Sequence, residues 1–239
     1  MKIIHLEQTD STNLYLERRF SELPSICSVR AEIQTDGRGR LSRHWASAKG
    51  GLWFSVLFKS PSHSPSQLQK ICSLATLDVL SYESKTNAFA LKWPNDIYYQ
   101  SKKISGCLQK NLISSASSSC IIGIGVNVNN PLPEELTKKA INLKAIVSQE
   151  INVEKLYQHI LEKIERQLSN FSQQQLEIEY RKHLLIKTGV HVKVLDVINN
   201  KQHTGRVIGY PGETIEIETE EGKRLSFSAA DVTLKSWED

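Results

Sequence analysis

The feature that most constrains the fold is an unbroken apolar and aromatic run, GLWFSVLF, at residues 51–58. A strand with one wet face alternates polar and apolar side chains, and this run does not alternate, so it predicts a buried strand. A second dense run, CIIGIGVNV at residues 120–128, predicts another buried strand. Residues 26–34 and 103–109 alternate and predict two more strands, and the Ser-rich segment 114–119 is predicted to be a turn.

Helices are predicted by a different spacing of apolar residues. Ser64 followed by Pro65 is a typical helix start, and the apolar spacing continues this helix to about residue 82. An amphipathic pattern over residues 153–171 predicts another helix, and one more follows to about residue 185. We assign the apolar faces of these last two helices to the core, with no ligand role.

The composition of the chain changes near Gly189. Short alternating stretches follow (VHVKVLDV, HTGRVIGY, TIEIETEE and RLSFS), separated by Pro-Gly and Glu-Gly turns. About 50 residues of this kind predict a small β-barrel domain. We therefore expect two domains, residues 1–186 and residues 187–239.

Overall composition narrows the class of protein. The 239 residues carry a net charge of +4 and are 39% hydrophobic, which is ordinary for a globular protein and too weakly basic to indicate nucleic-acid binding by itself. The four cysteines form no C-x-x-C pair, which favours free thiols in a reducing compartment. The N-terminus soon turns polar and no apolar run approaches the roughly 20 residues of a membrane helix, so we expect a cytoplasmic protein.

The stretch DGRGRLSRHWASAKGG at residues 36–51 has neither a helical nor a strand period. Its glycines permit positive φ and a close approach of backbone N–H groups to a ligand. Its arginines donate in a forked geometry that suits phosphate and carboxylate, and Trp45 could close over a flat ring. These residues indicate a site for an anion attached to a flat group, such as a nucleotide. For this stretch alone, a solvated basic loop is the alternative.

A second polar cluster lies in LKWPNDIYYQSKKISG at residues 91–106. Asn95 and Asp96 could bind hydrated Mg²⁺ or a phosphate, or could form an Asx turn. Lys103 begins a strand, where a lysine is either solvated or the cation that meets a carboxylate. Gly106 would then leave room for the substrate.

A third cluster is GIGVNVNNP at residues 123–131. Glycines inside a buried strand imply a close approach to its backbone, and Asn127 and Asn129 could point to a ligand. The stretch is not a dinucleotide fingerprint, because no helix follows and the third glycine is missing. The chain also lacks a P-loop, H-E-x-x-H and G-x-S-x-G, so covalent nucleophiles and metal hydrolases are not indicated.

Five motifs occur in one order: DSTN, QTDGRGRLSRHWAS, KWPND, KISG and GIGVNVN. In order and spacing they resemble the motifs of biotin–protein ligases, in a short form without an N-terminal DNA-binding domain. The resemblance covers essentially the whole chain. It implies an α+β fold, in which a mixed β-sheet is backed by helices (class II synthetase-like), with a small C-terminal SH3-like β-barrel.

The resemblance also implies an activity and partners. Enzymes of this family use biotin and ATP, with Mg²⁺, to make biotinyl-5′-AMP, and then move the biotinyl group to one lysine of a biotin carboxyl carrier domain. We expect that domain to belong to acetyl-CoA carboxylase, expect no DNA or membrane partner, and leave open whether the protein is a homodimer. The alternatives are a lipoate or octanoate ligase or transferase, and a non-enzymatic nucleotide- or RNA-binding protein.

Site residues are implied motif by motif. The residues expected to bind biotin are Ser11, Thr12, Asn13, Gln34, Arg38, Gly39, Arg40, Lys103 and Gly106. The residues expected at ATP and the adenylate are Arg38, Arg40, Arg43, Trp45, Asn95, Asp96 and Asn127. Lys103 and Arg40 are the expected catalytic cations, and Asp96 would reach a metal ion only through water.

Two positions depart from the pattern of the family. Ser42 stands where the arginine loop usually has a glycine, and Lys110 stands where an acid usually follows the KISG motif. The first departure puts the mobility of the loop in doubt, and the second puts any role of the acid in doubt. Neither removes an expected catalytic cation.

Overall fold

The computed structural model describes residues 1–113, 118–197, 199–229 and 232–236. The predicted turn at residues 114–119 therefore lies largely outside the described residues. Within those ranges, no helix is long and apolar enough to span a membrane.

The described chain forms two compact units. The larger unit comprises Met1–Leu91 and Asn95–His183, and the smaller comprises Lys92–Pro94 together with the chain from Leu184 onward. The assignment of residues 1–186 to a catalytic domain and 187–239 to a barrel remains a prediction.

The larger unit is built on a mixed sheet of seven strands. The strands are β1 (Lys2–Thr9), β2 (Ile26–Gln34), β3 (Leu52–Lys59), β4 (Phe89–Lys92), β5 (Asp96–Tyr99), β6 (Lys102–Ile113) and β7 (Ser118–Val126). Their spatial order is β1-β2-β3-β7-β6-β5-β4. β1 and β2 run parallel, whereas the pairs from β2 through β3, β7 and β6 to β5 are antiparallel. The expected α+β class with a mixed sheet is confirmed.

Five helices accompany the sheet in the described part of this unit. They are α1 (Thr12–Arg18), α2 (Pro65–Ser84), α3 (Leu143–Val147), α4 (Val153–Asn170) and α5 (Gln173–Lys182). The predicted start of α2 is confirmed: the Ser64 side chain accepts from the Gln67 backbone N–H, and the Gln67 side chain accepts from the Ser64 N–H. α3 was not predicted, because five residues are too few to show a helical period.

β3 is covered on both faces, as its apolar run predicts. Every residue from Leu52 to Phe58 is at most 2% exposed. On one face, Leu57 belongs to the same buried cluster as Leu16 of α1. On the other face, the Phe54 ring lies 5.1 Å from the Tyr157 ring of α4. A strand with two apolar faces is stable only in the interior of a layered unit, and β3 lies between β2 and β7.

The smaller unit contains a five-stranded antiparallel sheet. Its strands are β8 (His191–Asp196), β9 (Lys201–Gly209), β10 (Thr214–Glu218), β11 (Arg224–Ser228) and β12 (Val232–Ser236). Their spatial order is β11-β10-β9-β8-β12. The core of this sheet consists of alternating residues such as Val192, Val194, Ile215 and Ile217. β12 was not predicted. Its five residues alternate apolar and polar side chains, but the stretch is short, and pairing with β8 defines it as a strand.

Candidate active site

The candidate site begins where the parallel strands β1 and β2 end together. The backbone N–H of Thr35 donates to Thr9 O at 2.9 Å, and that of Asp36 donates to Asp10 O at 2.8 Å. The DSTN motif therefore lies beside the first residues of the arginine loop, although more than 20 residues separate them in sequence.

The Ser-Thr-Asn part of the motif is buried, with Ser11, Thr12 and Asn13 no more than 7% exposed. The Thr12 backbone N–H donates to Gln34 Oε1 at 2.9 Å. The Gln34 amide nitrogen donates to Ser47 Oγ at 2.9 Å, and that hydroxyl donates to Trp45 O at 2.9 Å. A line of hydrogen-bonded amides and hydroxyls thus connects the DSTN motif with both ends of the QTDGRGRLSRHWAS motif, and we call it the pocket wall.

The start of α1 is held by an ion pair that the sequence did not reveal. Both Arg18 Nη atoms donate to the Asp10 carboxylate, at 2.6 and 2.8 Å, and the Ser11 N–H donates to the same group at 2.7 Å. The hydrogen bonds from Arg18 and the Ser11 backbone hold the pKa of the Asp10 carboxyl well below its usual range.

This low pKa predicts how stability depends on pH. Because the folded state binds a proton at Asp10 less readily than the unfolded chain, the stabilisation is complete above the unfolded pKa of about 3.9 and is lost as the pH falls through the folded value. We expect the advantage in unfolding free energy of wild type over Asp10→Asn, measured by urea unfolding, to shrink as the pH falls below about 4. An advantage that stays constant from pH 7 to about 2.5 would contradict this account.

The arginine loop is folded back on itself. The Trp45 N–H donates to Gly37 O at 2.8 Å, and the Gly39 N–H donates to Arg43 O at 2.7 Å. A Cβ atom on Gly37 would clash with Trp45 O, so glycine is required here by the loop's own packing, and its close approach to a ligand stays a prediction. Positive φ, however, occurs at Leu41 (φ 55°, ψ 40°), whereas Gly39 is extended at φ −111°. Leu41, a residue with a Cβ atom, therefore takes the left-handed geometry in this part of the loop.

Arg38 and Arg40 of the loop contact different partners. Arg38 donates to Asp36 Oδ2 at 2.7 and 3.0 Å, and both side chains are about half exposed. Arg40 Nη1 donates to Asn95 Oδ1 at 3.3 Å. Arg43 is exposed. Arg40 thus connects the arginine loop to the Asn95 side chain.

Lys103 occupies the centre of a second group of side chains. Its Nζ lies 2.7 Å from Asp96 Oδ1, as an ion pair without the angles of a hydrogen bond, and both side chains are about a quarter exposed. The same Nζ lies 4.9 Å from the centroid of the Trp45 ring, within cation–π range. Asp96 also lies opposite Gly106 in the pairing of β5 with β6.

Two glycines of the sheet lie against the side chains of Asp96, Lys103 and Trp45. Gly106 and Gly125 are direct partners in the β6–β7 ladder. A Cβ atom on Gly106 would lie 3.1 Å from Asp96 Oδ1, and one on Gly125 would lie 2.6 Å from Trp45 Nε1. The close approach expected at Gly125 is confirmed, but the Trp45 indole makes it. That indole N–H is buried and finds no hydrogen-bond partner among the described residues, so it is an unsatisfied donor inside the site.

The asparagines after β7 have structural partners. Asn129 brackets the backbone of Ile151, accepting from its N–H at 3.0 Å and donating to its carbonyl at 2.8 Å. Asn127 is 5% exposed and accepts from Asn130 Nδ2 at 3.2 Å. The role of Asn127 at the nucleotide remains a prediction. The amide oxygen and nitrogen of Asn129 are both already bonded to Ile151.

Sequence reasoning missed Ser55 and did not predict the partner of Lys110. Ser55 sits inside the apolar run of β3 yet contacts Thr12 and Asn13. A lone serine in a fully buried strand was the signal that could have found it. Lys110, the departure noted above, pairs with Glu17 Oε2 of α1 at 2.6 Å. The lysine therefore ties α1 to β6.

The sequence similarity of this chain to known proteins extends well beyond the five motifs. The bifunctional ligase/repressor BirA of Bacillus subtilis is 32% identical over 218 residues, which cover 86% of this chain and 66% of that protein. The biotin–[acetyl-CoA-carboxylase] ligase of Mycobacterium tuberculosis is 29% identical over 198 residues, covering 78% of this chain and 73% of that protein. The chain thus spans a little less than two thirds of the length of the Bacillus relative.

The fold is shared with a solved structure. Biotin protein ligase from Aquifex aeolicus, in complex with biotin and ATP, matches with a TM-score of 0.83 at 30% identity, covering 98% of this chain and 99% of that one. The expected fold, a mixed sheet with helices followed by a small SH3-like domain, is thereby confirmed. Residues 5–127 match the biotin/lipoate A/B protein ligase family, and the chain belongs to that family.

Proposed function

We propose that the protein is an ATP-dependent biotin–protein ligase. One observation carries the proposal: Trp45 joins two parts of a single site. Its ring lies over the Lys103 ammonium, and its carbonyl oxygen ends the hydrogen-bonded line that starts at Gln34. Trp45 thus contacts both a cation suited to a carboxylate or phosphate and a line of amide and hydroxyl groups suited to a polar head group. The similar proteins named above, which are called biotin ligases, support the same activity.

In the proposed first step, a carboxylate oxygen of biotin attacks the α-phosphorus of ATP. The bond from that phosphorus to the bridging oxygen of the β-phosphate breaks, and pyrophosphate leaves with the electron pair. Two anions must approach each other, so fixed cations are required. Lys103 and Arg40 would supply this charge, and positioning of the two substrates can contribute roughly 7–11 kcal/mol in favourable cases.

Magnesium is proposed to arrive with the nucleotide. Among the described residues, no group of three or more His, Cys, Asp or Glu side chains is arranged to hold a metal ion. Asp96 is already paired with Lys103. Because Mg²⁺ commonly keeps several waters and binds substrate phosphates, MgATP is the species that fits this site, with Asp96 contacting the ion through water.

In the proposed second step, the neutral amine of an acceptor lysine attacks the acyl carbon of biotinyl-5′-AMP, the bond from that carbon to the phosphate oxygen breaks, AMP leaves, and the nitrogen releases one proton to solvent. The acceptor would be a biotin carboxyl carrier domain, of acetyl-CoA carboxylase in the first instance. Until then, water must be kept from the mixed anhydride. The Trp45 ring and the folded arginine loop would provide this cover. We also propose a cytoplasmic location, because all four cysteines are free and buried, as is usual for a protein in a reducing compartment.

The test is exchange of labelled pyrophosphate into ATP. We expect exchange that requires biotin and MgATP, with lipoate or octanoate at least about 100-fold less effective, because a buried polar pocket rejects a head group that leaves it unpaired. Equal exchange with lipoate or octanoate would assign the other branch of the family. No exchange with any acid, together with salt-sensitive nucleic-acid binding, would favour a binding protein.

A further inference from the structure

Ser55 is the one polar side chain in the buried run of β3. It is fully buried, and its hydroxyl lies 2.6 Å from Thr12 Oγ1 and 2.5 Å from Asn13 Oδ1. Thr12 and Asn13 both belong to the DSTN motif. Ser55 is not part of any of the five motifs, yet its hydroxyl contacts two residues that are expected to bind biotin.

The orientation of the Asn13 amide decides the direction of the first hydrogen bond. Asn13 Nδ2 faces the carbonyl oxygen of Leu108 at 3.5 Å. With the amide reversed, two carbonyl oxygens would face each other there. Asn13 Oδ1 consequently faces Ser55, and because an amide oxygen can only accept, the Ser55 hydroxyl must donate to it.

The direction of the second hydrogen bond follows from the first. Each hydroxyl has a single hydrogen, and that of Ser55 is used by Asn13. The 2.6 Å contact between Thr12 and Ser55 is favourable only if Thr12 donates, even though Gln34 Oε1, at 3.1 Å, is another acceptor within its reach. The Thr12 oxygen is then left as an acceptor toward a ligand.

Gln34 is oriented by backbone and hydroxyl groups in the same way. Its Oε1 accepts the Thr12 backbone N–H, so its Nε2 must donate. One hydrogen of Nε2 goes to Ser47, whose own hydrogen goes to Trp45 O. The second hydrogen of the Gln34 amide is left for a ligand. The wall thus offers an acceptor at Thr12 and a donor at Gln34.

Ser55 itself is anchored from the opposite face of the sheet. Its carbonyl oxygen accepts from Ser28 Oγ at 3.1 Å, and Ser28 Oγ accepts from Tyr157 OH at 2.7 Å. Burial raises the pKa of Tyr157 to about 12, so the phenol stays a donor at neutral pH. A chain of hydrogen bonds therefore crosses β2 and β3 from α4 to the pocket.

We propose that Ser55 is a positioning residue that sets the direction of the Thr12 hydroxyl and thereby selects a head group with an N–H and a C=O side by side, as in a cyclic urea. The inference rests on the proposed function, since it takes biotin as the substrate. A dithiolane or hydrocarbon head group has neither group, and it would leave the oriented donor and acceptor unpaired.

The test compares Ser55→Ala with Ser119→Ala in pyrophosphate exchange. Ser119 is also a buried strand serine, 1% exposed, but its hydroxyl has no hydrogen-bond partner in the part of the chain that the structure describes. We expect Ser55→Ala to raise the KM for biotin roughly tenfold, the effect of one lost hydrogen bond, and to leave the KM for ATP unchanged. Ser119→Ala should change neither. In a Thr12→Val background, which already lacks the hydroxyl, Ser55→Ala should have less than about a threefold effect.

The outcomes separate this inference from the function. If Ser55→Ala behaves like Ser119→Ala, or keeps its full effect in the Thr12→Val background, Ser55 does not act through Thr12. If Ser55→Ala does not fold, Ser55→Cys replaces it in the test, because a thiol has a similar size but is only a weak hydrogen-bond donor. A biotin KM of Ser55→Cys equal to that of wild type would overturn the inference. Wild type without biotin-dependent exchange would instead refute the proposed function.

Discussion

Lys103→Gln is expected to lower biotin-dependent pyrophosphate exchange by about 100-fold or more, the usual cost of removing one group that stabilises charge in a transition state. Glutamine has nearly the reach of lysine but no charge. It would leave the carboxylate of Asp96, 2.7 Å from Nζ in wild type, as the dominant charge where two substrate anions must meet. Stability should change by at most about 1 kcal/mol, because the pair is partly exposed.

The neighbouring residue provides a matched control. Lys102→Gln removes the same charge one position away, where Nζ donates to Thr137 O on an exposed surface. Exchange and thermal melting should be measured on both variants. We expect Lys102→Gln to resemble wild type. Lys103 would have no part in the chemistry if its glutamine variant exchanged pyrophosphate at a rate close to that of Lys102→Gln.

Gly123→Ala is expected to have the second largest effect. A Cβ atom at this position would clash with Asn13 Oδ1 inside the buried pocket wall. The asparagine has to move, and with it the hydrogen bonds to Ser55 and Leu108. A displacement of about 1 Å in such a site can cost on the order of 100-fold, so kcat/KM for biotin should fall by that order. Overpacking should also cost about 1–3 kcal/mol of unfolding free energy.

A second glycine separates local crowding from the general effect of a methyl group in a strand. A Cβ atom on Gly209 of β9 would find its nearest neighbour, Pro211 Cδ, at 3.9 Å, which is ordinary contact. Gly209→Ala should leave kcat/KM unchanged and alter the unfolding free energy little, as measured by urea unfolding. Unchanged biotin kinetics in Gly123→Ala would show that Asn13 can move without consequence for the pocket.

Much of the architecture could be predicted from local patterns. β3 lacks alternation, and it is buried on both faces. β2 was predicted with its observed bounds, and α2 begins at the Ser-Pro pair that marks helix starts. These features succeed because strand and helix periods, and the capping chemistry of Ser64, depend on residues within a few positions of each other. Gly123 and Gly125 were likewise interpreted correctly, since glycine in a buried strand implies that another group approaches its backbone closely.

The site was harder to predict, because its contacts join distant parts of the chain. Ser55 meets Asn13 across 42 positions, and Lys110 meets Glu17 across 93. The spacing of apolar residues within a short stretch of sequence cannot indicate contacts between residues so far apart. Two details of the site are likewise not indicated by any local pattern: Leu41 has positive φ, and the Asn129 side chain bonds the backbone of Ile151.

The sequence by itself determined which chemical groups are available: a lysine after KWPND, arginines between glycines, and hydroxyls and amides in DSTN. The tertiary structure decided which of them meet and in which direction each hydrogen points. Sheet register places Gly106 beside Gly125, and so leaves space for Trp45 over Lys103. A hydrogen bond has a donor and an acceptor end, and only the packed neighbours of Asn13 and Thr12 assign those ends.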